Sequence, residues 1–138
     1  MEHAREPRLD LAESVLPAPL FKSLCHVFMD GPSGRALAGG SALAGFYAGH
    51  RRSDDLDIFA DETESHEAAI RAVKSLVSLG ARLANERRTQ SYYRASCSLE
   101  GHEFTADVVL DPRLFEVGRM VRLENGIAVA DLKTLLMM

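Results

Sequence analysis

Two aspartates one residue apart, Asp55 and Asp57, carry the clearest chemical signal in the chain. Asp55-Leu56-Asp57-Ile58-Phe59 alternates polar and apolar residues, the period of a strand with one buried face. Both carboxylates then point to the same side, with Cα atoms about 6.6 Å apart at the usual strand rise. Like charges at that spacing repel, and a cation relieves them. Mg²⁺ suits such a site, because it takes one or two carboxylates and fills its remaining positions with phosphate oxygens and water. Two such ions can serve the attacking and the leaving oxygen of a phosphoryl displacement. Asp54 stands beside the pair, so a solvated charge run on a strand edge is the plain alternative.

A second feature lies just upstream. Gly39-Gly40-Ser41 follows a short apolar run, Arg35-Ala36-Leu37-Ala38, and precedes Ala42-Leu43-Ala44-Gly45-Phe46-Tyr47-Ala48. This reads as strand 35–38, a tight turn, then helix 41–48. The glycines permit positive φ and close backbone approach. Ser41 is a good N-cap. The free N–H groups of the new helix favour an anion such as the β- and γ-phosphates of a nucleotide. No Gly-Lys-Ser/Thr follows and no Gly-x-Gly-x-x-Gly is present, so neither a P-loop nor a Rossmann fingerprint is indicated. Between turn and carboxylates, His50, Arg51 and Ser53 form a loop. Arg51 can neutralise triphosphate charge, and Ser53 can brace the loop through backbone hydrogen bonds.

Taken together, Gly39-Gly40-Ser41, His50-Arg51-Arg52-Ser53 and Asp55-Leu56-Asp57 resemble the signature of the AbiEii/AbiGii-type nucleotidyltransferase toxins, within the DNA polymerase β-like nucleotidyltransferase superfamily. The resemblance covers roughly residues 30–138. It implies an α/β (α+β) core, with a mixed, twisted sheet and helices packed on one side. It also implies transfer of a nucleotide from ATP or another NTP to an acceptor hydroxyl, that of tRNA or a protein, with two Mg²⁺ ions when NTP is bound. A cognate antitoxin would be a partner. A third carboxylate is expected on a neighbouring strand, and Asp107 in Glu103-Phe104-Thr105-Ala106-Asp107-Val108-Val109-Leu110 fills that place. Asp111, before Pro112, reads as a turn residue and is the weaker choice. Asp55, Asp57 and Asp107 are thus the expected metal ligands, with Asp107 also the base. The family's helix lysine is matched by Lys133 in Ala130-Asp131-Leu132-Lys133-Thr134-Leu135.

Two other readings stand beside this one. A minimal nucleotidyltransferase antitoxin would modify a partner toxin, but that type shows Gly-Ser and Ser-Asp-x-Asp without the His-Arg-x-Ser loop. A binding module keeping only the fold would bind a nucleotide without turnover.

The elements that must position these groups fit one domain spanning residues 1–138. The chain has 138 residues, 46% of them apolar, enough for one core. A net charge of −4 argues against nucleic-acid binding through bulk charge. Even so, Arg82, Arg87, Arg88 and Arg94 gather with Tyr92 and Tyr93 in one expected hairpin, a mix that can hold an RNA end or merely face water. Cys25 and Cys97 form no metal-binding spacing and fit reduced thiols of the cytoplasm. No 18-residue apolar span is present, so no membrane association is expected.

Residues 1–16 are expected to be loose. A helix is expected over 17–29, entered through Pro17 and Pro19. Residues 63–79 have a helical apolar face and end at Gly80. Strands are expected near 81–87, 91–99 and 103–110. Residues 119–123 and 127–129 flank Asn125-Gly126, a hairpin turn signal. A helix over 131–138 closes the chain while still apolar. The family's C-terminal helical region is expected to be absent. The terminal run Leu135-Leu136-Met137-Met138 is expected to pack on residues 17–29 or to pair with a second copy in a homodimer.

Overall fold

The computed structural model describes residues 6–29, 34–39, 42–48, 55–123 and 126–137. In chain order the elements are α1 (Leu9–Val15), α2 (Ala18–Val27), β1 (Arg35–Ala38), α3 (Ala42–Ala48), β2 (Asp55–Ala60), α4 (Thr63–Lys74), β3 (Arg82–Arg88), β4 (Tyr92–Leu99), β5 (His102–Leu110), α5 (Pro112–Val117), β6 (Met120–Arg122), β7 (Ala128–Ala130) and α6 (Leu132–Met137).

The strands form one seven-stranded sheet in the order β3-β4-β5-β2-β1-β7-β6. β2 runs parallel to β5, and β1 parallel to β7. The remaining neighbours are antiparallel. A mixed sheet follows from this combination of hairpins and crossovers. β2 lies at its centre, and its residues alternate as the sequence implies. Leu56, Ile58 and Ala60 are fully buried, while Asp55 is exposed and Asp57 and Phe59 are half-buried. β5 repeats the pattern, with Phe104, Ala106 and Val108 buried.

The apolar face of these strands is covered by α2 and α4. From α4 it meets His66, Ala69, Ile70 and Val73, and from α2 Leu20, Leu24 and Val27, all of them buried. His66 Nε2 donates to the Val108 carbonyl at 3.1 Å. Asp61 and Ser65 start α4: the Ser65 hydroxyl bonds Asp61 Oδ1 at 2.6 Å, and the Glu62 N–H donates to Ser65 Oγ at 3.1 Å, which supplies partners at the helix start. The helix tightens into a 3₁₀ turn over Ser75–Leu79 and stops at Gly80, φ +99°, a left-handed C-terminal residue.

Two expectations need correction. The stretch expected to be loose contains α1, whose Ala12 is fully buried, followed by Leu16 at 4% exposure. Its ordering comes from α3: the Arg8 N–H donates to the Phe46 carbonyl at 2.9 Å, and Leu16 fills the space where Gly45 lacks a side chain. α3 itself is a wide π-type helix rather than a regular one. β5 ends at Leu110, before Asp111-Pro112, and Pro112 opens a further helix, α5, at its first position. In α6, Leu136 and Met137 are 71% and 57% exposed. Both cysteines are free, with Cys97 buried and Cys25 half-buried. Among the described residues, no helix is long and apolar enough to cross a membrane.

Candidate active site

The sheet face opposite α2 and α4 carries the carboxylates. In-register pairing sets Asp57 directly opposite Asp107, and Asp55 opposite Thr105. Paired residues on neighbouring strands share a face, so all three acids lie on one side of the sheet. The alternative acid, Asp111, serves a different purpose. Its Oδ1 accepts from the Leu114 N–H at 3.3 Å and caps α5.

Each acid has a distinct environment. Asp55 accepts from the Thr105 hydroxyl at 2.5 Å. Asp107 accepts from the Tyr92 phenol at 2.5 Å, and Arg94 Nε stands 3.7 Å from the same oxygen. Its side chain is 14% exposed, against 50% for Arg94. The bond to Asp107 holds the Tyr92 phenol protonated above its usual range. Among the described residues, no such donor reaches Asp57. Burial, then the charges of Asp107 and Asp55, push its carboxyl up to about 6, with Arg94 acting weakly against them. Desolvation and like charge both disfavour the ionised form.

Gly39 closes the site on the β1 side. It follows Ala38, which pairs with Asp57, and has φ +71°. A Cβ there would stand 2.3 Å from Asp57 Oδ2. Only a residue without a side chain allows this backbone to pass so close to the carboxylate. The other expected nucleotide-binding residues of the loops, Gly40, Ser41, Arg51 and Ser53, lie outside the described residues. Lys133 is exposed in the first turn of α6. Because β7 runs parallel to β1, with Val129 opposite Leu37, that turn begins at the sheet edge where Gly39 and Asp57 lie.

Among the described residues, no three His, Cys, Asp or Glu side chains already surround one point as a metal cage. The donor chemistry nonetheless suits a hard divalent ion. Such an ion needs only one or two carboxylates beside phosphate and water, and Asp57 is the acid whose charge most needs a cation.

Tyr92, Arg94 and Thr105 had not been singled out as partners of the acids. Arg94 and Tyr92 had appeared only as members of an arginine-rich hairpin. The signal for Thr105 was its two-residue spacing from Asp107, matching that of Asp55 from Asp57.

The architecture has counterparts of known structure. The crystal structure of a "putative nucleotidyltransferase from H. pylori" aligns with a TM-score of 0.59 at 20% identity, over 85% of this chain and 53% of that one. JHP933 from Helicobacter pylori aligns with a TM-score of 0.60 at 19% identity, over 94% of this chain and 56% of that one. The fold is that of the nucleotidyltransferases. This chain spans about half the length of those two proteins. MenT4, a nucleotidyltransferase toxin from Mycobacterium tuberculosis, aligns less well, with a TM-score of 0.44 at 16% identity over 75% of this chain and 38% of that one. No family model and no curated protein sequence matches the chain. Within the nucleotidyltransferase fold, the paired acids occupy the open face of the central strands, beside the turn that follows β1.

Proposed function

We propose that this chain is a metal-dependent nucleotidyltransferase, moving a nucleoside monophosphate from an NTP to an acceptor hydroxyl. The observation that carries the reading is the Asp57–Asp107 pair, two facing acids on an open sheet surface with Gly39 pressed against one of them. Asp55, Asp57 and Asp107 would hold Mg²⁺, which when bound offsets their repulsion and stabilises charge developing on the transferred phosphoryl group. Asp107 takes the proton of the acceptor hydroxyl as its oxygen bonds to the α-phosphorus. The bond from that phosphorus to the bridging oxygen breaks, and pyrophosphate leaves. Tyr92 and Arg94 keep the Asp107 carboxylate aimed. Gly39 and Lys133 would meet the triphosphate, and the family resemblance adds Gly40, Ser41, Arg51 and Ser53.

The resemblance to AbiEii/AbiGii-type toxins extends the proposal to tRNA as acceptor and a cognate antitoxin as partner. The test is incorporation of α-labelled NTP into RNA or protein by the wild type, Asp57→Asn and Asp107→Asn. Loss of at least a hundredfold in both variants is expected, the scale of a general base or a charge-stabilising group. Equal labelling by wild type and Asp57→Asn would reject the mechanism.

A further inference from the structure

The open sheet face continues beyond the acids into a groove of about 510 Å³, lined by Arg82, Asn85, Ser96, Ser98, Glu103 and Thr105 among others. Register sets its walls. Arg82 and Glu103 both pair with Ser98, and Ala84 and Thr105 both pair with Ser96. One row further along β4, Arg94 pairs with Asp107 on one side and with Arg87 on the other. Paired residues share a face, so Arg82 and Arg87 stand on the carboxylate side, along the β3 wall. Arg88 belongs to the opposite face, where it forms an ion pair with Glu67 of α4. From the row of Arg87 and Arg94 to the row of Arg82 and Ser98 is four residues of β4, about 13 Å at strand rise.

This wall carries unmatched charge. Arg82 and Arg87 are exposed, and neither has an ion pair or hydrogen-bond partner for its side chain among the described residues. Arg87 also faces Arg94, and like charges opposed across an antiparallel pair are unfavourable. Asp107 offsets Arg94, and nothing described offsets Arg87. The bulge between Ala84 and Arg87, with Asn85 at φ +54°, keeps Arg82 and Arg87 on one face. The groove floor is unsatisfied too. Ser96 and Ser98 are half-buried, and neither their hydroxyls nor the Asn85 amide bond a described residue. Two separated cationic points with free polar groups between them ask for an occupant of matching pattern.

We propose that this groove docks an extended segment of a partner protein, with carboxylates at positions i and i+4. In an extended chain those two side chains point the same way, about 13 Å apart. One then meets Arg87 and Arg94, the other Arg82, through charge-assisted hydrogen bonds. The first competes with Asp107 for Arg94. The residue midway must be small, because it lies over Ser96 and Ala84. Ser96, Ser98 and Asn85 bond the peptide groups of the segment. Glu103 faces Arg82 across the groove, so the second carboxylate keeps to the β3 wall and an N–H donor of the segment meets Glu103. Single-stranded RNA fits less well. Its charge recurs at every nucleotide and would be carried past Asp55 and Glu103. Phe104, the aromatic residue of the lining, is only 4% exposed, so bases find no ring to stack on. The inference adds a protein partner to the nucleotidyltransferase reading and does not depend on turnover.

The experiment measures fluorescence anisotropy of labelled peptides on the full chain at low ionic strength. One nonapeptide of glycine and serine carries glutamates at i and i+4. A second, of the same composition, carries them at i and i+1, which points them to opposite sides. A labelled single-stranded RNA hexamer is the third probe. Wild type, Arg82→Ala, Arg87→Ala and the double variant are compared, with thermal melts to confirm folding. The wild type is expected to bind the i, i+4 peptide several-fold more tightly than the i, i+1 peptide. Each single variant should lose about fivefold in affinity for it, the scale of an interface arginine. Added salt should weaken the binding. Equal affinity of the wild type for the two peptides would overturn the proposal, and that comparison needs no variant to fold. So would no binding of either peptide, or an unchanged affinity in the double variant. RNA bound more tightly than the i, i+4 peptide, and released in the double variant, would assign the groove to nucleic acid instead. Absence of NMP incorporation by the wild type would count against the catalytic reading alone, and the anisotropy series would still judge the groove.

Discussion

Gly39 and Asp57 touch across the β1–β2 pair so closely that a single added methyl at position 39 would fall 2.3 Å from Asp57 Oδ2. The turn after β1 and the acid on β2 thereby form one unit, in which the glycine's backbone is a wall of the carboxylate's pocket. Gly39→Ala must pay for both the positive φ and the collision. The left-handed conformation alone costs about 1–2 kcal/mol. Denaturant unfolding should show at least that loss. Calorimetry should show weaker NTP–Mg²⁺ binding, because the carboxylate is displaced. A variant with wild-type stability and affinity would contradict the contact.

The Asp57 carboxyl gives stability a pH dependence. It binds its proton more tightly in the folded chain, where its pKa is about 6, than in the unfolded chain, where the usual value is 3.8. The folded state therefore holds more proton between those values, and its stability falls as pH rises through that window. The contribution is full below about pH 4 and lost above about pH 7. Asp57→Asn removes it. In EDTA at pH 8 the variant should exceed wild type by about 1–3 kcal/mol, and at pH 4 the difference should vanish. Mg²⁺ should then stabilise the wild type more than the variant. A constant difference across pH would show that the Asp57 proton is not linked to folding.

Tyr92 acts through Asp107. Tyr92→Phe deletes the 2.5 Å hydrogen bond and keeps the ring. The expected result is a fall of about tenfold or more in kcat with little change in KM for NTP, part of the general-base contribution. A raised KM for NTP with unchanged kcat would instead place Tyr92 in substrate binding.

Asp111→Ala separates the two acids of β5's end. Losing the cap on α5 should cost about 1 kcal/mol, while nucleotidyl transfer per folded molecule should stay at the wild-type level. Loss of transfer without loss of stability would return Asp111 to the site.

The sequence made the centre of the sheet readable because strand alternation and burial agree there. Asp55–Ala60 and the apolar run of β5 needed no outside information. Gly39 was readable for a similar reason: a glycine pair between a strand and a helix signals close approach. Other features depended on contacts distant in sequence. α1 has Arg8 at its N-cap, where its side chain does not cap the helix, and its order comes from packing on α3. Leu16 likewise lies where a Cβ on Gly45 of α3 would fall. Asp111-Pro112 carries two local meanings, strand end and helix start, and the hydrogen bond to Leu114 decides for the second. The grouping of Tyr92, Arg94 and Thr105 around the acids is a property of strand register, which the alternation of a single strand does not specify.

The pairing of β1 with β7 bears on when the site can form. Leu37 meets Val129 across most of the chain's length, and Tyr47 of α3 donates to the Ala130 carbonyl at 2.8 Å. Closing so long a loop is entropically slow. During synthesis, the strand that leads into Gly39 has one open edge until the residues of β7 have left the ribosome. β2 and β5 can already have brought the three acids together by then. The acidic face on β2 and β5 is built from contacts nearer in sequence than the strand pair that holds its glycine wall.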